Sequence, residues 1–262
     1  MESILDLKGH VGLVTGAGQG VGRQIALHLA AHNAGGVIVN DYFKERAEAV
    51  AEEIRAGGGK ALALSCDVTS YDAVMAMTKE AEAHFGRIDI LVNNAGNAGP
   101  TQGLSDIKPF WETDPTEWQN WLGTNLYGVL NCSRAAIPGM IGRKYGRVIT
   151  IISDAGRVGE PHLAVYSGAK AGAAGFMRGL AKAVGRFNVT ANCIALAAIN
   201  TPGVVGLVPD EETMKKILKP YIIRRMGEPS DVANMALFLA SEAASWITGQ
   251  TYPVNGGYSI SN

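Results

Sequence analysis

The stretch "HVGLVTGAGQGVGRQIALHLAAHNA", residues 10–34, decides the fold. It opens with a short apolar run and passes through a glycine cluster. It then continues with apolar residues at helical spacing. An apolar run bounded by glycines reads as a buried strand, and the pattern after it reads as a helix. Gly16, Gln19, Gly20, Val21 and Gly22 lie in the turn between the two. Missing side chains there let the backbone come close to a pyrophosphate, whose charge is favoured at a helix N-terminus. A glycine cluster alone is weak evidence. One that follows a strand and opens a helix has the context that a dinucleotide fingerprint requires.

The same alternation continues along the chain. "GGVIVND", "KALALSCDV", "IDILVNNAG", "GRVITIIS", "VTANCIAL" and "TYPVNGG" read as further strands, with helical patterns between them. Continuous apolar strands separated by helices imply a parallel sheet covered on both faces. The expected fold is therefore α/β: a single doubly wound Rossmann-type domain over residues 1–262, with a parallel seven-stranded sheet. Its ligands would bind at the carboxyl ends of the strands. The second strand ends at Asp41, 19 residues past Gly22. That matches the spacing of roughly 20 residues for a carboxylate that bonds the adenosine ribose. Its charge would repel a 2′-phosphate, which favours NAD(H) over NADP(H). The plainer reading of Asp41 is a cap for the next helix. Lys44 and Arg46 are read as solvated.

Composition sets outer limits. The chain is 47% hydrophobic and its formal net charge is -1. It can bury a core, and it offers no electrostatic case for nucleic acid or an anionic membrane. No apolar run is long enough to span a bilayer. The start "MESILDLKGHVGLVTGAG" lacks a basic region followed by an apolar stretch, so no secretory signal is expected. Cys66, Cys132 and Cys193 are far apart and lie in apolar stretches, which suggests buried reduced thiols. No histidines pair at metal-ligand spacing, and no metal is expected. The expected location is the cytoplasm.

"SDAGRVGEPHLAVYSGAK", residues 153–170, carries candidate reacting groups. Ser153 closes a strand at the ligand edge. Tyr166 and Lys170, four residues apart, share one face of the following helix. A free phenol has a pKa of about 10, too high for an efficient base near neutrality. A nearby ammonium and an oxidised nicotinamide would favour the phenolate. Tyr166 could then take the proton of a secondary alcohol as hydride leaves carbon, with Ser153 holding the substrate oxygen. The alternative is an ordinary surface pair on a helix.

Together, "TGAGQGVG", "NNAG" at 93–96, Ser153 and the Tyr166/Lys170 pair resemble the short-chain dehydrogenases/reductases. The likeness extends to "RRMGEPSDVA" and "ITGQTYPVNGG" and covers nearly the whole chain. It implies a fourth catalytic position at Asn125, where a water links Lys170 to solvent. It also implies that Asp67 and Val68 border the adenine and that Asn93, Ala95 and Gly96 shape the cofactor floor. Thr201 would meet the cofactor's carboxamide or phosphates. A homotetramer would use helices around 117–140 and 163–186. Two departures stand out. Leu196 and Ala197 replace the usual Pro-Gly, and the stretch from "NNAG" to Asn125, with Trp111, Trp118 and Trp121, is longer than usual. Those tryptophans read equally as local packing and as an active-site wall or subunit contact.

Residues 201–225 are expected to form a substrate lid. Val204, Val205, Leu207 and Val208 suggest an apolar alcohol or ketone, with His162, Leu163 and Val165 also bordering it. Lys215, Lys216, Lys219 and Arg224 are read as a solvated face, with coenzyme A phosphate as the alternative. "SDAGRVG" is also similar to dehydrogenases of ring hydroxyacyl-CoA compounds. Two other functions stay open: a nucleotide-binding sensor, suggested by the altered turn, and an isomerase on the same scaffold.

Overall fold

Seven apolar runs become seven strands: β1 Val11–Val14, β2 Gly36–Asp41, β3 Ala61–Ser65, β4 Ile90–Asn93, β5 Gly146–Ser153, β6 Val189–Leu196 and β7 Thr251–Val254. The computed structural model describes residues 3–96, 108–205 and 210–260. Leu207, Val208 and the side chain of Val205 fall outside the described residues, as do residues 97–107. The helices are α1 Gly20–Ala31, α2 Lys44–Ala56, α3 Tyr71–Phe85, α4 Trp118–Leu122, α5 Gly128–Arg143, α6 Ala155–Val158, α7 Ala164–Val184, α8 Pro202–Val205, α9 Glu211–Leu218 and α10 Pro229–Ala240.

The strands form one sheet in the order β3-β2-β1-β4-β5-β6-β7, and every pairing is parallel. This is the doubly wound α/β architecture expected from the alternation of runs. Strand order reverses between β1 and β4, which opens the ligand crevice at their carboxyl ends.

Alternate strand residues enter two cores. Val37 and Val39 face the layer containing α1, α2 and α10, while Ile38 faces the layer containing α3, α5 and α7. Both strand faces are therefore apolar, and the runs lack a period of two. Each fully buried Leu or Ile contributes about 1.5–3 kcal/mol. Exposed ion pairs such as Arg55–Glu52 contribute about 0–1 kcal/mol, so burial dominates the stability.

Polar groups gather at the sheet's amino edge, opposite the crevice. Asp89 is fully buried, accepts from Val11 N at 3.0 Å and pairs with Arg87 Nε at 2.6 Å. Fully buried Arg147 pairs with Glu242 at 3.2 Å. His10 stacks on Tyr145, with ring centroids 3.9 Å apart. Burial pushes the His10 imidazole below its ordinary value of 6.5. The unfolded chain therefore takes up this proton more readily than the folded one. Stability from the neutral ring is complete above pH 6.5 and is lost as pH falls from there toward the folded value. The slope is no steeper than about 1.4 kcal/mol per pH unit. His10→Phe keeps the stacking but cannot ionise. Thermal melts just below pH 6.5 should show a midpoint that falls with pH in the wild type and a flatter dependence in the variant.

Candidate active site

The loop after β1 is built to hold a shape. Gly16 takes φ +61°, a left-handed conformation. A Cβ on Gly22 would lie 2.3 Å from the Gly16 carbonyl oxygen. Thr15 Oγ1 accepts from Asn94 N and Ala95 N at 3.0 Å each. Asn94 Nδ2 donates to the carbonyls of Thr15, at 2.9 Å, and Gly16, at 3.0 Å. Gln19 sits at the N-cap of α1 and makes no side-chain cap bond. Gly20 opens α1, and Val21 is buried within it. Thr201 lies over the loop, its methyl 3.2 Å from where a Cβ on Gly20 would be. Thr15 and Asn94 were not singled out in the sequence, although each is a polar residue at the carboxyl end of an apolar strand.

Asp41 is buried at the end of β2, and both its oxygens are in use. Oδ2 accepts from Gly18 N and Oδ1 from Phe43 N, each at 3.0 Å. The N-cap of α2 is Phe43, so the plainer reading of Asp41 as that cap does not hold. Lys44 is exposed as expected. Arg46 is exposed too, but its guanidinium lies over the Phe43 ring, 4.5 Å from the centroid. Its Cβ would sit only 2.5 Å from a Cβ on Gly18, so it flanks the loop instead of pointing into open solvent. Asp67 is exposed and accepts from Thr69 N at 2.9 Å, while Val68 is buried. Asn40, also missed in the sequence, ties the ends of β2 and β3 by donating to Leu64 O at 3.1 Å.

The four candidate reacting residues converge at the carboxyl edge of β4 and β5. Ser153 ends β5; its hydroxyl accepts from Ala155 N at 3.2 Å and donates to Leu196 O at 3.5 Å, and it lies near enough to the Tyr166 phenol to influence its ionisation. Lys170, one turn after Tyr166 on α7, is buried and donates from Nζ to Ile151 O at 2.9 Å. Its ammonium is 5.8 Å from the Tyr166 ring centroid. Asn125 lies in a π-turn, Gly123–Tyr127, between α4 and α5. Such turns recur at functional sites because one extra residue re-aims a side chain. Asn125 Nδ2 donates to Trp121 O at 2.9 Å. Its Oδ1 and Lys170 Nζ both come 3.1 Å from where a Cβ on Gly96 would stand. Gly96 thus lets the backbone pass close to both polar atoms, where a larger residue would crowd them. Asn93, in contrast, points into the interior and donates to Ser133 Oγ at 3.2 Å and Thr150 Oγ1 at 3.3 Å.

The electrostatics differ from the sequence expectation. Burial pushes the Tyr166 phenol above its ordinary value, and the nearby Ser153 hydroxyl pulls it partly back. Burial also pushes Lys170 down, to about 8. In the chain itself, burial outweighs any acidifying effect of the lysine on the phenol.

The altered turn after β6 is unstrained. Among the described residues the non-glycines with positive φ are Lys8, Asn33, Lys144 and Asn188, and Ala197 is not among them. Alanine therefore needs no conformation reserved for glycine.

The tryptophans separate by role. Trp118 stacks on Phe110 and donates to Thr113 Oγ1 at 2.9 Å, which is local packing. Trp111 is exposed. Trp121 meets the Tyr166 ring edge-on, with centroids 5.6 Å apart. Lys215 and Lys216 pair with Glu211 and Glu212 on their own helix, each at 2.8 Å, as a solvated face would. His162 is exposed, and Leu163 and Val165 are half-buried at the start of α7. Cys66, Cys132 and Cys193 are free and buried.

Known proteins share this arrangement. Residues 16–259 match the family described as enoyl-(acyl carrier protein) reductase. The chain is 38% identical over 245 residues to the 3-oxoacyl-(acyl-carrier-protein) reductase FabG of Staphylococcus aureus, covering 94% of this chain and 96% of the relative. It is 36% identical over 253 residues to 7alpha-hydroxysteroid dehydrogenase of Escherichia coli, covering 97% and 95%. A solved 7 alpha-hydroxysteroid dehydrogenase in complex with NADH and 7-oxo glycochenodeoxycholic acid superposes with a TM-score of 0.89 and 37% identity, over 97% of this chain and 95% of that one. A hydroxysteroid dehydrogenase structure from Escherichia coli gives a TM-score of 0.84 and 35% identity, over 97% and 98%. With the glycine loop and the Asn125, Ser153, Tyr166 and Lys170 positions gathered on this sheet, the chain belongs to the short-chain dehydrogenase/reductase family.

Proposed function

We propose that this protein transfers hydride between a secondary alcohol or its ketone and a nicotinamide dinucleotide, preferring NAD(H) to NADP(H). The observation that carries the reading is the gathering of the Ser153 hydroxyl, the Tyr166 phenol and buried Lys170 at one sheet edge, beside a glycine loop packed too closely to admit side chains. The loop suits a pyrophosphate at Gly16, Gln19, Gly20 and Gly22, with Thr201 above it. Asp41 suits the adenosine ribose, since each of its oxygens keeps a lone pair beyond its one backbone bond. Asp67 and Val68 lie toward the adenine, and Ala95 and Gly96 toward the nicotinamide.

A bound nicotinamide supplies the hydride acceptor or donor and, when oxidised, a positive charge that favours the phenolate. The protein's residues do the rest. Ser153 holds the substrate oxygen. Tyr166 takes its proton in oxidation and returns it in reduction. Lys170 and Asn125 come together beside Gly96, and the resemblance to the family assigns them a water that passes the proton to solvent. Residues 201–225 act as a lid.

The substrate is apolar and cyclic, or an acyl thioester. The two relatives named above support these alternatives in turn. We place the enzyme in the cytoplasm as a homotetramer. The sensor reading rested on the Leu196–Ala197 turn, and the unstrained Ala197 removes that support.

NADH formation is the test, on a panel of cyclohexanol, 2-octanol, a 3-hydroxyacyl thioester and a 7-hydroxysteroid. Wild-type kcat/KM should favour NAD over NADP by at least about tenfold, a free-energy difference of about 1.4 kcal/mol. Asp41→Asn keeps the shape and removes the charge, so it should narrow that ratio by about tenfold. A wild-type preference for NADP would show that Arg46 outweighs Asp41.

A further inference from the structure

Directly after Ser153 comes a fully buried carboxylate, Asp154. A carboxylate taken out of water persists only when it is paired and hydrogen-bonded. Both of its oxygens are occupied. Oδ2 accepts from Asn255 Nδ2 at 2.6 Å, and Oδ1 accepts from the Arg157 guanidinium at 2.5 Å. Both partners continue into the end of the chain. Asn255 Nδ2 also reaches Ser259 O at 2.9 Å, and Arg157 donates to Ser259 Oγ at 3.0 Å. Asn255 Oδ1 closes the local turn by accepting from Gly257 N at 2.9 Å.

The tail is fastened at two further points. The Tyr258 hydroxyl donates to Glu160 Oε2 at 3.3 Å, ahead of α7. The Tyr258 ring packs on Tyr221, centroids 5.2 Å apart, and the Tyr221 hydroxyl accepts from Ala198 N at 2.9 Å in the turn after β6. Asp154 N itself donates to Leu196 O at 2.8 Å. The turn that leaves β5 at Ser153 is therefore held from below by β6 and from the side by residues about a hundred positions further along the chain. Proton transfer through Tyr166 makes no use of Asp154, so this buried charge has no place in the chemistry itself.

We propose that Asp154 is a positioning residue for Ser153 and that the chain's own tail, Asn255–Ser259, is the clamp through which it acts. The tail fixes the carboxylate, the carboxylate fixes the turn that follows Ser153, and that turn, whose Ala155 N donates to Ser153 Oγ at 3.2 Å, sets the direction of the hydroxyl at the strand's end. The inference rests on the role given to Ser153 above.

The test uses Asp154→Asn, Asn255→Asp, the double exchange, and Ser153→Ala alone and combined with Asp154→Asn. All are assayed as the full chain with NAD and a cyclic secondary alcohol. Asp154→Asn sets an amide against the Arg157 guanidinium, and Asn255→Asp sets two carboxylates face to face. Each should lower kcat by about 10- to 100-fold, the scale of a misaimed reacting group, with NADH affinity unchanged. The exchange restores one acid and one amide and should recover at least about tenfold over the worse single variant. In the Ser153→Ala background, Asp154→Asn should cost nothing further, because it acts only through the missing hydroxyl.

Wild-type kcat in a folded Asp154→Asn protein would overturn the proposal. So would an exchange without recovery, or an undiminished loss in the Ser153→Ala background, which is what a merely structural role gives. If Asp154→Asn does not fold, Ser259→Ala carries the same test: it removes a hydroxyl shared by Arg157 and Asn255 and should lower kcat without changing NADH affinity. Unchanged kcat there overturns the clamp. Ser153→Ala at wild-type rate would instead refute the reading of the site, which separates the two failures.

Discussion

Tyr166→Phe should lower kcat by about 10²–10⁴-fold, the usual worth of a positioned acid or base, while NADH still binds. The expectation is sharp because the substitution removes one oxygen and little else. The ring would keep its edge-on contact with Trp121 and its place near the Lys170 ammonium. Those contacts hold α4 against α7, so neither the fold nor the cofactor cradle should register the change. The lost atom is the phenol oxygen whose ionisation Ser153 influences, and with it goes the proton acceptor. The wild type should also respond to pH in opposite senses. Burial places the phenol above its ordinary value, so alcohol oxidation accelerates as pH rises toward the phenol's ionisation, whereas ketone reduction needs the protonated form and accelerates as pH falls. In the variant the rise in oxidation should vanish. Single-turnover hydride transfer, read by NADH absorbance, separates this effect from cofactor release. A variant with wild-type turnover and an unchanged pH profile would show that another group carries the proton.

Legibility in the sequence followed the range of the interactions. Strands such as Val37–Val39 were readable because burial on both faces leaves an uninterrupted apolar run. Tyr166 and Lys170 were readable because a helix turns spacing of four directly into proximity. What stayed hidden depends on segments distant in the chain. Thr15 and Asn94 close the phosphate loop from strands 79 positions apart, and alone each looks like a strand boundary. Asp154 and Asn255 meet across 101 positions, and nothing local marks them as partners. The π-turn at Asn125 has no period to detect. Asn93 turned inward because its strand register, not its motif, sets its direction. Part of the phenol's electrostatics stayed out of sight for the same reason: the charge partner is in the sequence, but desolvation is a property of the packed site, and in the chain alone it raises the phenol.

Gly22→Ala should be the most damaging single-methyl change in the phosphate loop. The new Cβ would fall 2.3 Å from Gly16 O, 2.4 Å from Asn94 Nδ2 and 2.9 Å from Gly16 C. Two of those atoms are backbone, so no side chain can rotate to relieve the clash. Nor can one segment move alone, since Asn94 Nδ2 binds the Thr15 and Gly16 carbonyls and Thr15 Oγ1 holds the amides of Asn94 and Ala95. The loop must pull away from both α1 and the end of β4. Overpacking of this kind costs about 1–3 kcal/mol of stability. The cost to dinucleotide affinity should be larger if the displaced amides meet the phosphates as proposed, and a loss of at least about 100-fold corresponds to about 2.8 kcal/mol. Gly142→Ala is the matched control: its Cβ meets nothing within 4 Å on an exposed helical turn, so it should stabilise by about 0.5–1 kcal/mol and leave affinity unchanged. NADH fluorescence titration with a thermal melt reads both quantities. If Gly22→Ala melts early yet binds NADH like the wild type, the loop is a structural turn only and the dinucleotide must sit elsewhere.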